Sequence, residues 1–393
     1  MRSVAWSAVT ATFEPRTIVA LPPAAYDDRR VFAEEQRQLF TPGTALLYVG
    51  HDALLPPTGH RRADADPRLV LSRDGDRVHA LANVCTHACR PVVTDDAAVP
   101  RRRLACAFHG WSFDRDGSLV GARGLTLDEP GQREQLALTS YPVLSWHGFH
   151  FVVDPAIAGS VTAELSSVER EFAARGAHDW LDLDDWVVLE STDDVYEGDW
   201  KLFVEVYGDC YHVPPYHPGL ASFVDCDSIE WSLGANHHVQ FLQRSSLNGR
   251  RSPRYERWAA GLAAYHHARG EPRPAMGVAW MALYPNLMYE AYAGLRVLSV
   301  VIPTSEHTYV NRVHYLVPAD MESVVPGLPA AMKAAYDETV DEDRALVDSR
   351  RDGLRAAASL GLSMERYRPV LDGGAPEAGV AHFHDWYRAR MGA

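Results

Sequence analysis

No apolar run in this chain approaches the roughly 18 residues that a membrane span requires. The opening MRSVAWSAVTATFEPRTIVAL is broken by Thr, Glu, Pro and Arg before it resembles a secretory core. The chain is therefore expected in the cytoplasm, with no membrane as a partner. Basic charge is scarce as well: 38 Lys and Arg stand against 52 Asp and Glu, for a net charge of −14. Such a surface repels phosphate backbones and anionic lipid, which argues against nucleic acid as a partner. Cysteine is scarcer still. Five in 393 residues, an odd number, do not make a disulfide scaffold, so they read as reduced thiols or metal ligands.

What is present is an ordinary globular composition, 47% apolar and 23% charged, in a chain long enough for two or three domains. Residues 27 to 40, DDRRVFAEEQRQLF, predict an exposed helix with a few apolar anchors, stopped by the breaker cluster Thr41-Pro42-Gly43. From about 46 to 154 the texture changes to short alternating runs, RLVLS, RVHALANV, SLVGA and FHFVVDP, separated by turn signals RDGD and RDGS. That is the rhythm of a small all-β unit. Beyond about residue 165 helical stretches mix with strands. HHVQFLQRSSL, VAWMALYPNLMYEAY, LRVLSVVIP and YVNRVHYLVP predict members of an antiparallel sheet, and a long helix is expected from about Leu328 to Leu360. With no internal repeat, low-complexity tract or long linker, the expected class is α+β, in units packed against each other.

The cysteines then gain a meaning. Cys85-x-His87 is followed, after eighteen intervening residues, by Cys106-x-x-His109, so each motif pairs one Cys with one His. Thiolate and imidazole are ligands of zinc and of iron-sulfur clusters. Zinc is the bland alternative, but zinc knuckles favour Cys-x-x-Cys or paired His, whereas one mixed pair on each of two tips suits a Rieske 2Fe-2S centre. Asn83-Val84-Cys85-Thr86-His87 and His109-Gly110-Trp111 resemble the two loops of that family. Respiratory-type members tie those loops with a disulfide; here Phe108 stands where the partner of Cys89 would be, so Cys89 is expected to be a small loop-packing residue rather than a ligand.

A second constellation, Asp209-x-x-His212-x4-His217, lies in WKLFVEVYGDCYHVPPYHPGL. Asp209 and His212 are expected on one face of a helix that Pro214 and Pro215 end, which lets His217 turn back toward His212. Two converging histidines suit a mononuclear metal whose third ligand is a carboxylate from elsewhere. The acid-rich stretch DETVDEDRALVDSRRD is the place to look. At roughly 100° per residue, Tyr336, Val340, Val347 and Leu354 fall within about 40° of one another, and Asp343 shares that stripe. Asp337, Glu338, Asp341, Glu342, Asp348 and Asp352 point away from it. An acid on a buried stripe is ion-paired or metal-bound, and metal ligation is the reading adopted for Asp343.

Taken together the two motifs resemble the α subunit of Rieske non-haem iron oxygenases, the group that includes aromatic-ring-hydroxylating and choline- or betaine-monooxygenase-like enzymes. The likeness spans nearly the whole chain: Tyr48-Val49-Gly50-His51, Trp146-x-Gly148 before Phe151-Val152, Trp200-Lys201, Pro285-Asn286, and Glu342-Asp343 ahead of Gly353-Leu354. It implies a helical segment at 1–44 packed on the catalytic domain, an all-β Rieske domain at 45–158, and at 159–393 a helix-grip catalytic domain, an antiparallel sheet with a long C-terminal helix. It implies that Cys85, His87, Cys106 and His109 hold the 2Fe-2S cluster and that His212, His217 and Asp343 hold iron(II). It makes Asp209 a bridge that hydrogen-bonds His212 and a cluster histidine of a neighbouring protomer, within a head-to-tail homotrimer. Glu205, Val206 and Asp199 depart from the family, which often has Asn at these places.

The implied activity is that of a terminal oxygenase that hydroxylates or demethylates a small organic substrate with O2. No Gly-x-Gly-x-x-Gly loop or plant-type ferredoxin spacing is present, so a separate NAD(P)H-dependent reductase or ferredoxin must supply electrons. Chain length resembles the α-only enzymes, whereas Tyr-x-Asp-x-Tyr-His at Tyr207 to His212 leans toward the ring cis-dihydroxylating branch, which stays as the alternative. A pure Rieske electron carrier is the rival from another class, and it leaves the second constellation without purpose. Trp231, Phe241, Tyr265, Trp280, Tyr284, Tyr289 and Tyr292 are expected to be mainly core, with a pocket or a cage for a cationic group as the other use. His237-His238, His266-His267 and His382-x-His384 are expected to be surface or core residues rather than ligands.

Overall fold

The computed structural model describes residues 18–95, 98–127, 131–245, 252–362, 369–370 and 376–392. Most of the opening segment, 1–17, lies outside them. The predicted N-terminal helix is two pieces, Ala24–Asp27 and Arg29–Gln38, the second capped by the Asp28 carboxylate accepting from the Arg30 amide at 2.8 Å. It is not merely an exposed helix. Its Glu35 is fully buried, where it accepts from Lys201 Nζ (2.5 Å), Tyr387 Oη (2.6 Å) and Trp200 Nε1 (3.0 Å). This pins the N-terminal segment to the second half of the chain.

The expected small β unit forms three sheets. Leu47–His51 pairs with the hairpin Val143–Trp146 and Phe149–Val152. Thr58–Arg62, Leu69–Asp74, Arg77–Ala82 and Ser140–Tyr141 form the second, and Leu104–Ala105, Ser112–Phe113 and Leu119–Gly121 the third. Both turn signals act as turns. Gly75 in RDGD has φ +61°, and Gly117 in RDGS has φ +88° with a Cβ there crowded at 3.0 Å from Leu81 Cδ2, so both turns favour glycine on conformational grounds and the second also on steric ones.

The second half is built on a seven-stranded antiparallel sheet in the order Trp186–Glu197, Thr308–Pro318, Leu295–Ser305, Leu287–Tyr292, Met276–Leu283, His237–Arg244, Val224–Leu233. All four predicted segments are in it. The two outer strands escape sequence reading because most of their residues are not buried, Val187, Val188 and Val195 among them, so the inward-outward alternation is weak. Alternation within the inner strands assigns the faces: Tyr289, Leu298 and Phe241 pack on Phe172 of the helix Ala158–Ala174, while Tyr292, Val297 and Tyr315 face the helices Pro253–Arg269 and Leu328–Ser359.

The long helix has the predicted extent. It starts after Gly327 (φ +81°) with Pro329 in its first turn, where a missing amide costs nothing. A further helix, Ala378–Met391, has no counterpart in the sequence reading; its Phe383 packs edge-on to Trp200 at 5.8 Å. The β unit joins the large sheet through Asn286, buried, which accepts from the Tyr48 amide and donates to the Tyr48 carbonyl, both at 3.0 Å. No helix of the described residues is long and apolar enough to cross a membrane.

Candidate active site and metal centres

The first motif pairs come together on two neighbouring loops. Each loop folds on itself: the Cys89 amide donates to the Cys85 carbonyl (2.9 Å), and the Gly110 amide to the Cys106 carbonyl (3.0 Å). Asn83 holds the first loop from inside, accepting from the Val92 and Val93 amides at 2.9 Å and donating to the Val93 carbonyl. Cys85 and Cys106 are buried free thiols, whereas His87 and His109 are exposed with ring centroids 4.5 Å apart and His87 stacked on Trp111 at 4.8 Å. Burial pushes the Cys85 thiol up, and the neighbouring Cys106 thiol adds to the effect. Sulfur pairs with sulfur inside and imidazole with imidazole outside, as a two-iron cluster demands when two cysteines hold one iron and two histidines the other. Cys89 is corrected: it is exposed with φ +54°, so it caps a turn rather than packing the loop.

The second constellation also assembles, by a different local route. The helix ends at Tyr207, before Asp209, and Pro214 and Pro215 do not terminate it but sit in the first turn of a separate short helix, Val213–Tyr216. Proline is at home there because the first helical amides lack partners anyway. Asp209 in the intervening turn accepts from the Tyr211 amide (2.6 Å), and its other oxygen lies 3.3 Å from His212 Nδ1. His217 Nε2 is 3.1 Å from His212 Nε2 and 3.0 Å from Asp343 Oδ1, which is 3.6 Å from His212 Nε2. Among the described residues this trio is the group whose donor atoms converge on one point. Three ligands at about 2.1 Å from one metal and at right angles to each other stand about 3.0 Å apart, so two imidazoles and one carboxylate fit one octahedral face of a mononuclear centre.

Electrostatics agree. Burial works against charge on both imidazoles, but the facing carboxylates outweigh it: Asp209 and Asp343 raise His212 to about 9, and Asp343 with Glu342 raises His217. Burial likewise works against charge on Asp343, and His212 and His217 nevertheless hold it below its usual range. The site is built for positive charge. Glu342 is a second correction. Expected to face away, it lies 2.7 Å from His217 Nδ1, because a helix residue flanking the buried stripe still reaches a ring that leans over its edge. It orients that ring as outer carboxylates orient metal-binding histidines.

The trio opens into a cavity between the sheet and the long helix, walled by Phe203, Tyr207, Leu220, Trp280, Tyr292 and Val340 among others. Of the aromatic residues singled out from sequence, Trp280 and Tyr292 line it; Phe241, Tyr265, Tyr284 and Tyr289 are core. Sequence reasoning missed Glu290, in the same wall. It is buried, accepts from Tyr336 Oη (2.6 Å) and Tyr292 Oη (3.0 Å), and burial raises it to about 7. The signal was a lone acid within the apolar run LMYEAY. Two of the other histidine pairs serve structure: His237 Nδ1 meets Glu164 at 2.7 Å, His238 Nδ1 meets Tyr284 Oη at 2.6 Å, and His384 Nε2 meets Glu205 at 2.7 Å. The family departures are absorbed in the same way, since Glu205 also accepts from Tyr26 and Arg350, and Asp199 pairs with Lys201 Nζ at 2.7 Å.

Comparison with known proteins agrees with this geometry. Residues 183–393 match the ring hydroxylating alpha subunit (catalytic domain) family, and residues 47–138 match the Rieske [2Fe-2S] domain. The putrescine 2-hydroxylase of Ralstonia nicotianae is 30% identical over 377 residues, covering 94% of this chain and 95% of that protein. The glycine betaine monooxygenase oxygenase subunit of Chromohalobacter salexigens is 26% identical over 406 residues, covering 95% and 86%. In fold, the chain is similar to a quaternary ammonium Rieske monooxygenase associated with carnitine oxidation, with a TM-score of 0.72, 20% identity and 96% of each chain covered. Two iron chemistries on one chain, an electron-storing cluster and an O2-activating centre, are the equipment of one enzyme class: this chain belongs to the Rieske non-haem iron oxygenases, as the terminal oxygenase component that carries a 2Fe-2S cluster and a non-haem iron and draws electrons from a separate reductase or ferredoxin.

Proposed function

We propose that the chain hydroxylates a small aliphatic nitrogen compound in this way: Cys85, Cys106, His87 and His109 hold the cluster, and His212, His217 and Asp343 hold the iron. The observation that carries the reading is the meeting of the two imidazoles and one carboxylate at 3.0 to 3.6 Å on the wall of a partly open, mainly apolar cavity. Iron bound there supplies O2 activation, which no side chain can provide. The protein's own part is positional. Tyr207, Leu220, Trp280 and Val340 exclude water and present the substrate to the open side of the trio. Glu342 fixes the His217 ring, and Asp209 fixes His212 through the turn amides.

The domain division proposed is 1–44, 45–158 and 159–393, and the working assembly is a head-to-tail homotrimer. Two surface features support that assembly. His87 and His109 are exposed next to exposed Val84 and Phe108, and Asp209 lies beside exposed Tyr211 and Tyr216. Apolar rims around both ends of a relay fit each other across an interface, with Asp209 joining His212 to His109 of the neighbouring protomer. The similarity to putrescine 2-hydroxylase and glycine betaine monooxygenase supports an amine-bearing substrate and monooxygenation. The test is O2 uptake with a surrogate reductase, read with product mass. A gain of one oxygen supports the proposal, a gain of two oxygens and two hydrogens turns it to cis-dihydroxylation, and substrate-independent electron transfer alone contradicts it.

A further inference from the structure

Glu290 is a buried carboxylate in the wall of the substrate cavity with no Arg or Lys to meet it: among the described residues neither lines that cavity, and its two histidines face Asp209, Glu342 and Asp343 instead. Its environment is assembled by the sheet. Trp280 and Glu290 stand directly opposite each other on adjacent strands, Tyr292 follows two residues later on the same face, and Tyr336 reaches across from the long helix. Tyr336 Oη donates to one carboxylate oxygen and Tyr292 Oη, itself held by Trp280 Nε1 at 3.0 Å, to the other. A carboxylate accepts about four hydrogen bonds, so each oxygen retains capacity for another donor. Further along the cavity Asn311 contributes a buried Oδ1 with no hydrogen-bond partner among the described residues. Tyr336 and Asp343 lie two turns apart on one helix, roughly 10 Å along its axis, and Glu290 and the trio line the same cavity.

We propose that Glu290 is the substrate anchor and that it selects a cation carrying N–H bonds and no carboxylate, that is, an aliphatic primary or secondary ammonium. The inference rests on the oxygenase reading for the identity of the cavity and deepens it. An unpaired buried carboxylate is costly, and an ammonium is the partner that offsets the cost while donating to the free acceptors. The rings of Trp280, Tyr292 and Tyr336 favour positive charge of any kind. A quaternary ammonium gains from those rings but leaves the remaining acceptor capacity of Glu290 and the Asn311 Oδ1 unfilled. A betaine-like zwitterion in addition brings its own carboxylate against Asp209, Glu290 and Asp343.

The test is calorimetric binding to the anaerobic holoenzyme, with three probes of one chain length: 1,4-diaminobutane, its fully N-methylated bis-quaternary analogue, and 4-aminobutanoate. The expected result is that the diamine binds at least tenfold more tightly than either of the others. Glu290→Gln, which keeps the side chain's size and an acceptor for one of the two tyrosines, is expected to lose at least tenfold in diamine affinity with iron content and cluster absorption unchanged. Equal or tighter binding of the quaternary or carboxylate probe, absence of diamine binding, or unchanged affinity in Glu290→Gln overturns the inference. The comparison of probes uses the unaltered chain and needs no variant. Because binding is read without O2 or reductase, the two readings separate: diamine preference in a protein that consumes no O2 keeps this inference and overturns the oxygenase reading.

Discussion

Cys85, His87, Cys106 and His109 occupy two adjacent loops with their imidazoles exposed, whereas His217 and Asp343, 126 residues apart, meet only because a long helix lies across a seven-stranded sheet. One centre is local in sequence and on the surface; the other is non-local and set in a cavity. The difference follows from what each must do. A centre that exchanges electrons with a partner needs an edge that can be touched, and imidazole on the surface offers such an edge. A centre that handles O2 needs exclusion of water and a fixed substrate, and only the tertiary fold provides walls.

The contrast predicts that damage to one centre spares the other. Cys85→Ser or Cys106→Ser should abolish the cluster and reduce turnover to background while iron still binds at the His212 site; loss of both metals together would contradict the separation. If Asp209 bridges the centres as proposed, Asp209→Asn should retain both metals and still lose on the order of 100-fold in turnover; rapid single turnover at normal rate in this variant would remove Asp209 from the relay. Glu342→Gln should weaken iron binding roughly tenfold, read by chelator competition, and leave the cluster's reduced spectrum unchanged. Cys89→Ser should change cluster absorption not at all and stability by less than about 0.5 kcal/mol, since its thiol is exposed on a turn.

The same contrast explains what could be read from the chain alone. The cluster motifs are short and their chemistry is carried by residue type and spacing, so the four candidate ligands could be named from the chain, and the structure brings the two loops that carry them together. Asp343 was legible because a 32-residue helix keeps its phase long enough for periodicity to single out one acid. Glu342 was not, since a flanking position reads as solvent-facing until the neighbouring ring is known. The Pro214-Pro215 pair misleads because proline both ends helices and begins them, and only the turn at Gly208 and Asp209 decides which. Glu290 was hidden by the opposite problem. A buried acid in an inner strand violates the pattern that identifies the strand, and such violations gather at functional sites. The edge strand Trp186–Glu197 and the C-terminal helix Ala378–Met391 carry weak patterns because their place is set by distant partners, Thr308–Pro318 for the first and Glu35 and Trp200 for the second.

The central claim, two separable iron sites in one polypeptide, is tested most directly by counting metal and sulfide in the native protein and in His212→Ala. The account predicts about three irons and about two acid-labile sulfides per native chain, and in the variant about two irons with the sulfide and the rhombic paramagnetic signal of the reduced cluster intact. Retention of the third iron in His212→Ala, or a native protein without labile sulfide, would contradict it.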